Sequence, residues 1–537
     1  MNSRIVLLSF IALVFLVIYL FWPLSSNEYL IQWDKNQIHQ KTAFLSDSSL
    51  KSDTTERPNI LVIIVDDLGK TDISLYGTGK VETPNIDMLG ASGVIFDQAY
   101  VTSSVCSPSR AAILTGRYPQ RFGFTYQMHE FYLENRLQYY GYKYLVNSYP
   151  WMPRELESAP SEMMAEKQGL PPSEITLPEM LKRENYKTAL IGKWHLGVHN
   201  ENNPCNFGFD YQYGFYASHS LYALENTQGI VSQRIDNDFS DSFIWEGQRN
   251  GAHAIYRNCI QVEEKEYLTN AITRECKDFI STNKDQNFFL IASYNAPHTP
   301  LQAPIEYIDQ FIEIDDPVKR TYYAMIASLD NAIGDLMKHL EDLKIKRNTL
   351  IFFISDNGGA TYTHTTDNYP LKGGKITDFE GGVNVPFIIS WKDRIPQGIH
   401  YNNPVSSMDI FGTITSTLDI PLPKTRQLDG VNLIPYITKI DSGSMPHEYL
   451  YWYRGSTRAI RSKNWKMIWN VDFNETSLFN MEVNNLEKLN VRIDNDSIEN
   501  QLKEQYKNWS MNLPEPLWPP LVRFVYEDNG KLYHFDN

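Results

Sequence analysis

Asn59-Ile60-Leu61-Val62-Ile63-Ile64-Val65 is an unbroken apolar, β-branched run that ends in the paired carboxylates Asp66-Asp67. A strand covered on both faces has no reason to alternate polar and apolar residues, so this run reads as a central strand of a buried sheet. The pattern returns twice. Asn287-Phe288-Phe289-Leu290-Ile291-Ala292 leads towards His298, and Thr349-Leu350-Ile351-Phe352-Phe353-Ile354 leads into Ser355-Asp356-Asn357-Gly358-Gly359. Helix-like stretches lie between them, at 110–114, 177–183 and 322–343, and strands alternating with helices imply an α/β sheet. Such sheets form their sites at the carboxyl ends of strands, and here those ends are polar.

The alternation runs from Pro58 to about Pro435. Residues 436–537 read as a smaller α+β domain, with strand-like Leu450-Tyr451-Trp452-Tyr453 and Trp465-Lys466-Met467-Ile468-Trp469 followed by a charged helical stretch. A Tyr-rich insertion at about 126–168 holds Phe131, Tyr132, Tyr139, Tyr140, Tyr142, Tyr144, Tyr149 and Trp151. Its aromatic rings suit either sugar stacking or local packing. Before Pro58, residues 26–57 are polar and without period, as in a tether. At 1–25, Arg4 precedes an apolar run from Ile5 to Trp22 that reads as a signal peptide or a membrane anchor, with Pro23-Leu24-Ser25-Ser26 a weak cleavage site. Export is the expectation: periplasmic or cell-surface in a bacterium, otherwise secreted or membrane-anchored.

The chain has 537 residues, 42% hydrophobic and 21% charged, which excludes a mainly disordered protein. A formal net charge of −15 opposes nucleic acid, so an anionic substrate needs a local basic pocket. The four cysteines, Cys106, Cys205, Cys259 and Cys276, are too few for a disulfide scaffold, although Cys259 and Cys276 could pair.

Asp66-Asp67 and Asp356-Asn357 offer oxygen ligands at two strand ends, a donor set for a hard divalent cation such as calcium. In Cys106-Ser107-Pro108-Ser109-Arg110-Ala111-Ala112-Ile113-Leu114-Thr115-Gly116-Arg117 a loop enters a helix, which puts the cysteine at a helix N-terminus. Helix end and Arg110 would lower the pKa of a thiol there, whereas a buried thiol would be inert.

This segment resembles the signature of the formylglycine-dependent (type I) sulfatases, Cys-x-Pro-x-Arg running into Thr-Gly-Arg. Gly192-Lys193-Trp194-His195-Leu196-Gly197, Ala296-Pro297-His298-Thr299-Pro300 and Leu478-Phe479-Asn480-Met481-Glu482 are also similar to that family and in its order. The resemblance covers 58–435 and implies a large alkaline-phosphatase-like domain with a central mixed β-sheet flanked by helices. It implies that a formylglycine-generating or radical maturation enzyme converts Cys106 to 3-oxoalanine (formylglycine), whose hydrate is the nucleophile. It implies one Ca2+ on Asp66, Asp67, Asp356, Asn357 and the modified Cys106. Arg110 would hold the diol, Lys193 and Lys375 the sulfate oxygens. His298 would protonate the leaving oxygen, and His195 would take a proton from the remaining hydroxyl. Lys372 falls at the substrate rim, while His199, His219 and His364 stay outside the core set.

Two rival readings remain. A phosphatase or phosphodiesterase on the same scaffold would normally use two metals and a Ser or Thr nucleophile, and no second His/Asp cluster is evident. A non-catalytic binder of sulfated glycans would not need the full set of matched residues. The aromatic insertion and the leader favour a sulfated carbohydrate or polysaccharide as substrate.

Overall fold

The computed structural model describes residues 3–24, 31–55, 57–77, 80–128, 133, 135–146, 148–154, 167–235, 239–439, 443–483 and 486–537. Asn59–Asp66 is a strand buried along its whole length. It lies between Phe288–Pro297 and Thr349–Ser355 and is parallel to both. Lys187–Lys193 and Tyr211–Phe215 extend the parallel set. Beyond Thr349–Ser355 the sheet becomes mixed, with Phe387–Ser390 antiparallel and then Val94–Phe96 and Ile399–Tyr401. A hairpin of Tyr256–Arg257 and Ile260–Gln261 closes the other flank, giving ten strands among the described residues.

Strand alternation divides the core in two. Ile60, Val62 and Ile64 pack with the helices Cys106–Thr115, Leu177–Arg183 and Asp409–Thr417. Leu61, Ile63 and Val65 pack with Leu268–Asn283 and Pro317–Asp342. The last helix starts earlier than its apolar period suggests because Asp316 caps it, accepting from the Val318 and Lys319 amides.

Register brings the functional ends level: Val65 stands opposite Ser355, Asp66 opposite Pro297, and Gly192 opposite Ser293. A Cβ on Gly192 would lie 1.8 Å from the Ser293 carbonyl oxygen, so only glycine lets the strand that delivers Lys193 lie flush there.

The C-terminal region is α+β, as expected. Leu450–Arg454, Thr457–Arg461, Trp465–Asn470 and Glu475–Asn480 form an antiparallel meander. Leu502 and Tyr506 of the Asp496–Ser510 helix pack on its Ile460, Met467 and Leu478. The final hairpin, Val522–Asp528 with Lys531–Asp536, takes Trp151–Pro153 of the Tyr-rich insertion as a third strand. Trp151 packs against Tyr362 and Phe524, with ring centroids 5.0 and 5.1 Å away, so this part of the insertion serves packing. Phe131 and Tyr132 lie outside the described residues.

Three details depart from the sequence reading. The stretch read as a tether contains a helix, Lys35–Ser46, capped by Asp34 and anchored by buried Lys41. Lys41 lies 2.6 Å from Glu179 Oε1 and donates to the Pro172 and Glu174 carbonyls, contacts that sequence periodicity cannot register. The disulfide joins Cys205 to Cys259, with Cα atoms 6.6 Å apart, and not Cys259 to Cys276. Cys276 is buried in the Leu268–Asn283 helix, packed into the apolar core. Lys372 is committed to the C-terminal hairpin, 2.8 Å from Asp528 Oδ2 and over the Phe379 and Tyr533 rings, which removes it from the substrate rim. Ser3–Phe21 is helical, and Arg4–Phe21, with mean hydropathy 2.7 and none of it buried, is long and apolar enough to cross a membrane. Ser25 and Ser26 lie outside the described residues.

The Cys205–Cys259 link spans 54 residues, and such a loop is worth roughly 2–4 kcal/mol. Cys205→Ser will therefore lower the melting temperature, and a non-reducing digest will yield the 205–259 peptide pair. A 259–276 pair would contradict this assignment. His447 lies 2.8 Å from Asp409 Oδ1; burial opposes its charge, but Asp409 outweighs burial and raises its pKa. Its stabilisation is therefore complete below the unfolded value of about 6.5 and is lost as pH rises through the higher folded value. His447→Gln will remove that component from a pH series of melting temperatures.

Candidate active site

The parallel strands end around Cys106, the first residue of the Cys106–Thr115 helix. Its Sγ lies 3.5 Å from Asp66 Oδ1 and 3.9 Å from Asp67 Oδ1. Burial pushes the thiol far up, against the pull of Lys193 and Lys375. The helix-end argument for an activated thiol therefore fails: desolvation of the anion outweighs the helix and the nearby cations.

Buried acids here are matched with buried bases. Lys193 Nζ lies 2.6 Å from Asp66 Oδ2, and Lys375 Nζ lies 2.9 Å from Asp67 Oδ2. Arg110 donates from Nε to Asp356 Oδ2 at 2.7 Å, and its terminal nitrogen is 3.7 Å from Asp66 Oδ1. His298 Nε2 lies 3.6 Å from Asp67 Oδ2. Asn357 Nδ2 donates to Asp67 Oδ1 at 2.7 Å, and the Asp67 amide donates to Asp356 Oδ1 at 3.3 Å. All ten residues named from the sequence thus converge; His195 is buried with them and has the site cations as its electrostatic neighbours.

Asp67 and Asp356 respond differently. Burial raises Asp67, but Lys375, His298 and Lys193 outweigh it and hold the carboxyl at about 2. Asp356 rises to about 6, through burial and the Asp66 and Asp67 charges against Arg110. Burial and the cations lower both histidines, His298 to about 3, so both imidazoles are neutral. Asp67 and His195 have φ of 61° and 55°, a left-handed conformation held by the surrounding packing.

The donors fit a metal ion. Ligand atoms of Asp66, Asp67, Cys106 and His298 lie within 4.8 Å of one another. Asn357 Oδ1 is buried with no hydrogen-bond partner among the described residues, an acceptor left over beside three carboxylates. A cation at these oxygens would offset the burial and the carboxylate charges that raise Asp356.

Two further residues support the site without a sequence signal. Ser293 Oγ accepts from Arg110 at 2.7 Å and donates to the Lys193 carbonyl at 2.6 Å. Gln127 touches both Ser107 and His195. Ser293 lies inside an apolar strand and Gln127 in a loop, where no local pattern marks them. Of the histidines set aside, His199 caps a short turn, exposed His364 has φ of 60°, and buried His219 bonds Ser218 and the Ile244 carbonyl.

A family model described as Sulfatase matches residues 58–420. The chain belongs to the sulfatase family. N-acetylgalactosamine-6-sulfatase of Canis lupus familiaris is 32% identical over 405 residues, 74% of this chain and 69% of that protein. Steryl-sulfatase of Homo sapiens is 30% identical over 485 residues, 79% and 77% of the two chains. The crystal structure of Ps i-CgsB in complex with k-i-k-neocarrahexaose has a TM-score of 0.71 and 30% identity, covering 86% of this chain and 94% of that one. The sulfatase is thus a sulfuric ester hydrolase of the alkaline-phosphatase-like superfamily.

Arg110→Ala would leave Asp356 buried without the cation that now pairs with it at 2.7 Å. In protein stripped of divalent ions, denaturant unfolding will show a loss of about 3–5 kcal/mol. A loss below about 1 kcal/mol would mean that the site opens to water.

Proposed function

We propose that this sulfatase hydrolyses sulfate esters of a carbohydrate or polysaccharide outside the cytoplasm, using Cys106 as formylglycine and one calcium ion on Asp66, Asp67, Asp356, Asn357 and residue 106. The observation that carries the reading is a buried acidic cage around Cys106 with Lys193, Lys375, Arg110, His195 and His298 converging on it. Conversion of Cys106 replaces the one sulfur in the donor set by oxygen, leaving the hard donors that calcium prefers. When present, the cation polarises the sulfate and the hydrated aldehyde supplies a nucleophilic hydroxyl with a second one for breakdown.

The chain's own residues do the rest. Lys193 and Lys375 neutralise Asp66 and Asp67 here, and the same two ammonium groups would meet the sulfate oxygens. Arg110, fixed by Asp356 and Ser293, holds residue 106 in place. The negative charge of a bound sulfate would raise the pKa of His298, which could then give a proton to the departing alcohol oxygen, while His195 serves the second hydroxyl. An otherwise acidic protein thus binds an anion through cations confined to one pocket.

Cys106 is fully buried, so the maturation enzyme must act before the fold closes. The apolar helix at 3–21 supports export, whether removed as a signal or kept as an anchor. The carbohydrate assignment draws on the similarity to N-acetylgalactosamine-6-sulfatase and to the carrahexaose-bound structure.

Mass spectrometry of protein from its native host will find formylglycine at residue 106; active protein carrying cysteine there would refute the mechanism. Chelation will abolish activity and lower the melting temperature, and calcium will restore both. His298→Ala will cut kcat by about 10²–10⁴. A screen that finds turnover of aryl or steryl sulfates but of no sulfated glycan would overturn the substrate class.

A further inference from the structure

The apolar helix Ser3–Phe21 is not separate from the folded body. Its carboxyl end meets the helix Arg136–Tyr144 of the Tyr-rich insertion. The Arg136 guanidinium lies 4.8 Å over the Tyr19 ring, and the Tyr19 and Tyr140 hydroxyls share a hydrogen bond. Pro23 forms an antiparallel bridge with Asn135, and Leu24 is buried in a small cluster with Tyr139, Leu133 and Tyr140. These contacts run from the apolar segment into the residues just after it, where the sequence offers only a weak cleavage site.

The insertion helix has two unlike sides. Tyr139 is turned inward, while Leu137, Tyr140 and Tyr144 are spaced three and four residues apart and form a stripe along another side. The Tyr140 and Tyr144 rings stack with centroids 6.1 Å apart. Leu145 and Val146 prolong the stripe past the helix end, and Leu145 is 86% exposed. What covers this patch follows from its neighbour. Arg4–Phe21 has 18 residues, and a helix of that length is about 27 Å long, close to the thickness of a bilayer's hydrocarbon core. Tyr19 and Trp22 stand at its carboxyl end, where amphipathic rings mark the headgroup level. A helix in contact with Tyr19 and Leu24 therefore lies at that level too.

We propose that Ser3–Phe21 is kept as a membrane anchor and that the insertion helix Arg136–Tyr144 docks in the bilayer interface beside it, with Leu137, Tyr144, Leu145 and Val146 among the headgroups and upper acyl chains. Arg136 and Lys143, two turns apart on the flank of the stripe, add positive charge for lipid phosphates. Arg4 is the one charged residue of the first 25 and keeps the amino terminus on the cytoplasmic side, so the catalytic body stands outside. The body is then fixed against the membrane at two points, the anchor and the insertion. The proposal rests on the export reading alone and not on the chemistry at Cys106.

The test uses the full chain in vesicles of phosphatidylethanolamine and phosphatidylglycerol. Leu145→Cys replaces an exposed side chain and carries the fluorophore NBD; Cys106 and Cys276 are buried and Cys205 is joined to Cys259, so position 145 is the thiol that labels. Ile312→Cys, exposed next to Phe311 on the other face of the central sheet, is the reference. Emission from position 145 will shift to the blue and will be quenched by a spin label near the headgroup end of the acyl chains more than by one near the chain ends. Position 312 will show neither effect. Equal behaviour at the two positions, or stronger quenching from the chain ends, overturns the proposal. Mass spectrometry of protein from its native host will find residues 1–24 still attached in the membrane fraction. An exported chain trimmed beyond Trp22 overturns the proposal and leaves the export reading standing, whereas an untrimmed chain recovered from the cytoplasm ends both.

Discussion

Three carboxylates, Asp66, Asp67 and Asp356, share one buried volume, and the architecture around them answers the cost of keeping them there. Isolated charges of this kind lose several kcal/mol each on leaving water. The fold meets this by bringing Arg110, Lys193 and Lys375 from a helix, a strand end and a loop that are far apart in sequence. Each needs its own support: Ser293 for Arg110, a glycine before Lys193, and the amide of Lys375 on the Gly359 carbonyl. Its cations hold Asp67 low, whereas burial and the neighbouring carboxylates raise Asp356 despite Arg110.

This shared set of charges would link cation binding to substrate binding. The ammonium groups that balance the cage are those that would meet a sulfate, so cation and substrate draw on one pool of charge. A protein with net charge −15 can therefore concentrate a positive field in one pocket. Burial, helped by the same cations, lowers the pKa of both histidines.

The central strands were legible because burial on both faces leaves an unbroken apolar run, and the observed Asn59–Asp66 and Thr349–Ser355 lie within a residue of those runs. The ten candidate residues were named through their motifs, and the fold brings them together in one buried cluster. What stayed hidden depends on contacts across the chain. Lys41 reaches Glu179, Cys205 reaches Cys259, and Trp151 completes a sheet with residues near 523. None of these leaves a local period. Gln127 was hidden for the same reason, since only the facing Ser107 amide gives its side chain a direction.

Trp518 holds the Gln127 loop from 391 positions further along the chain. The 58–420 segment that defines the family therefore does not contain its whole site wall. During synthesis the acidic cage has all its residues long before the indole that steadies the Gln127 loop has been made. The nascent chain thus has an interval in which Cys106 is present but its surroundings are unfinished, and a proteolytic nick near 515 would loosen the brace on the Gln127 loop while leaving the acidic cage intact.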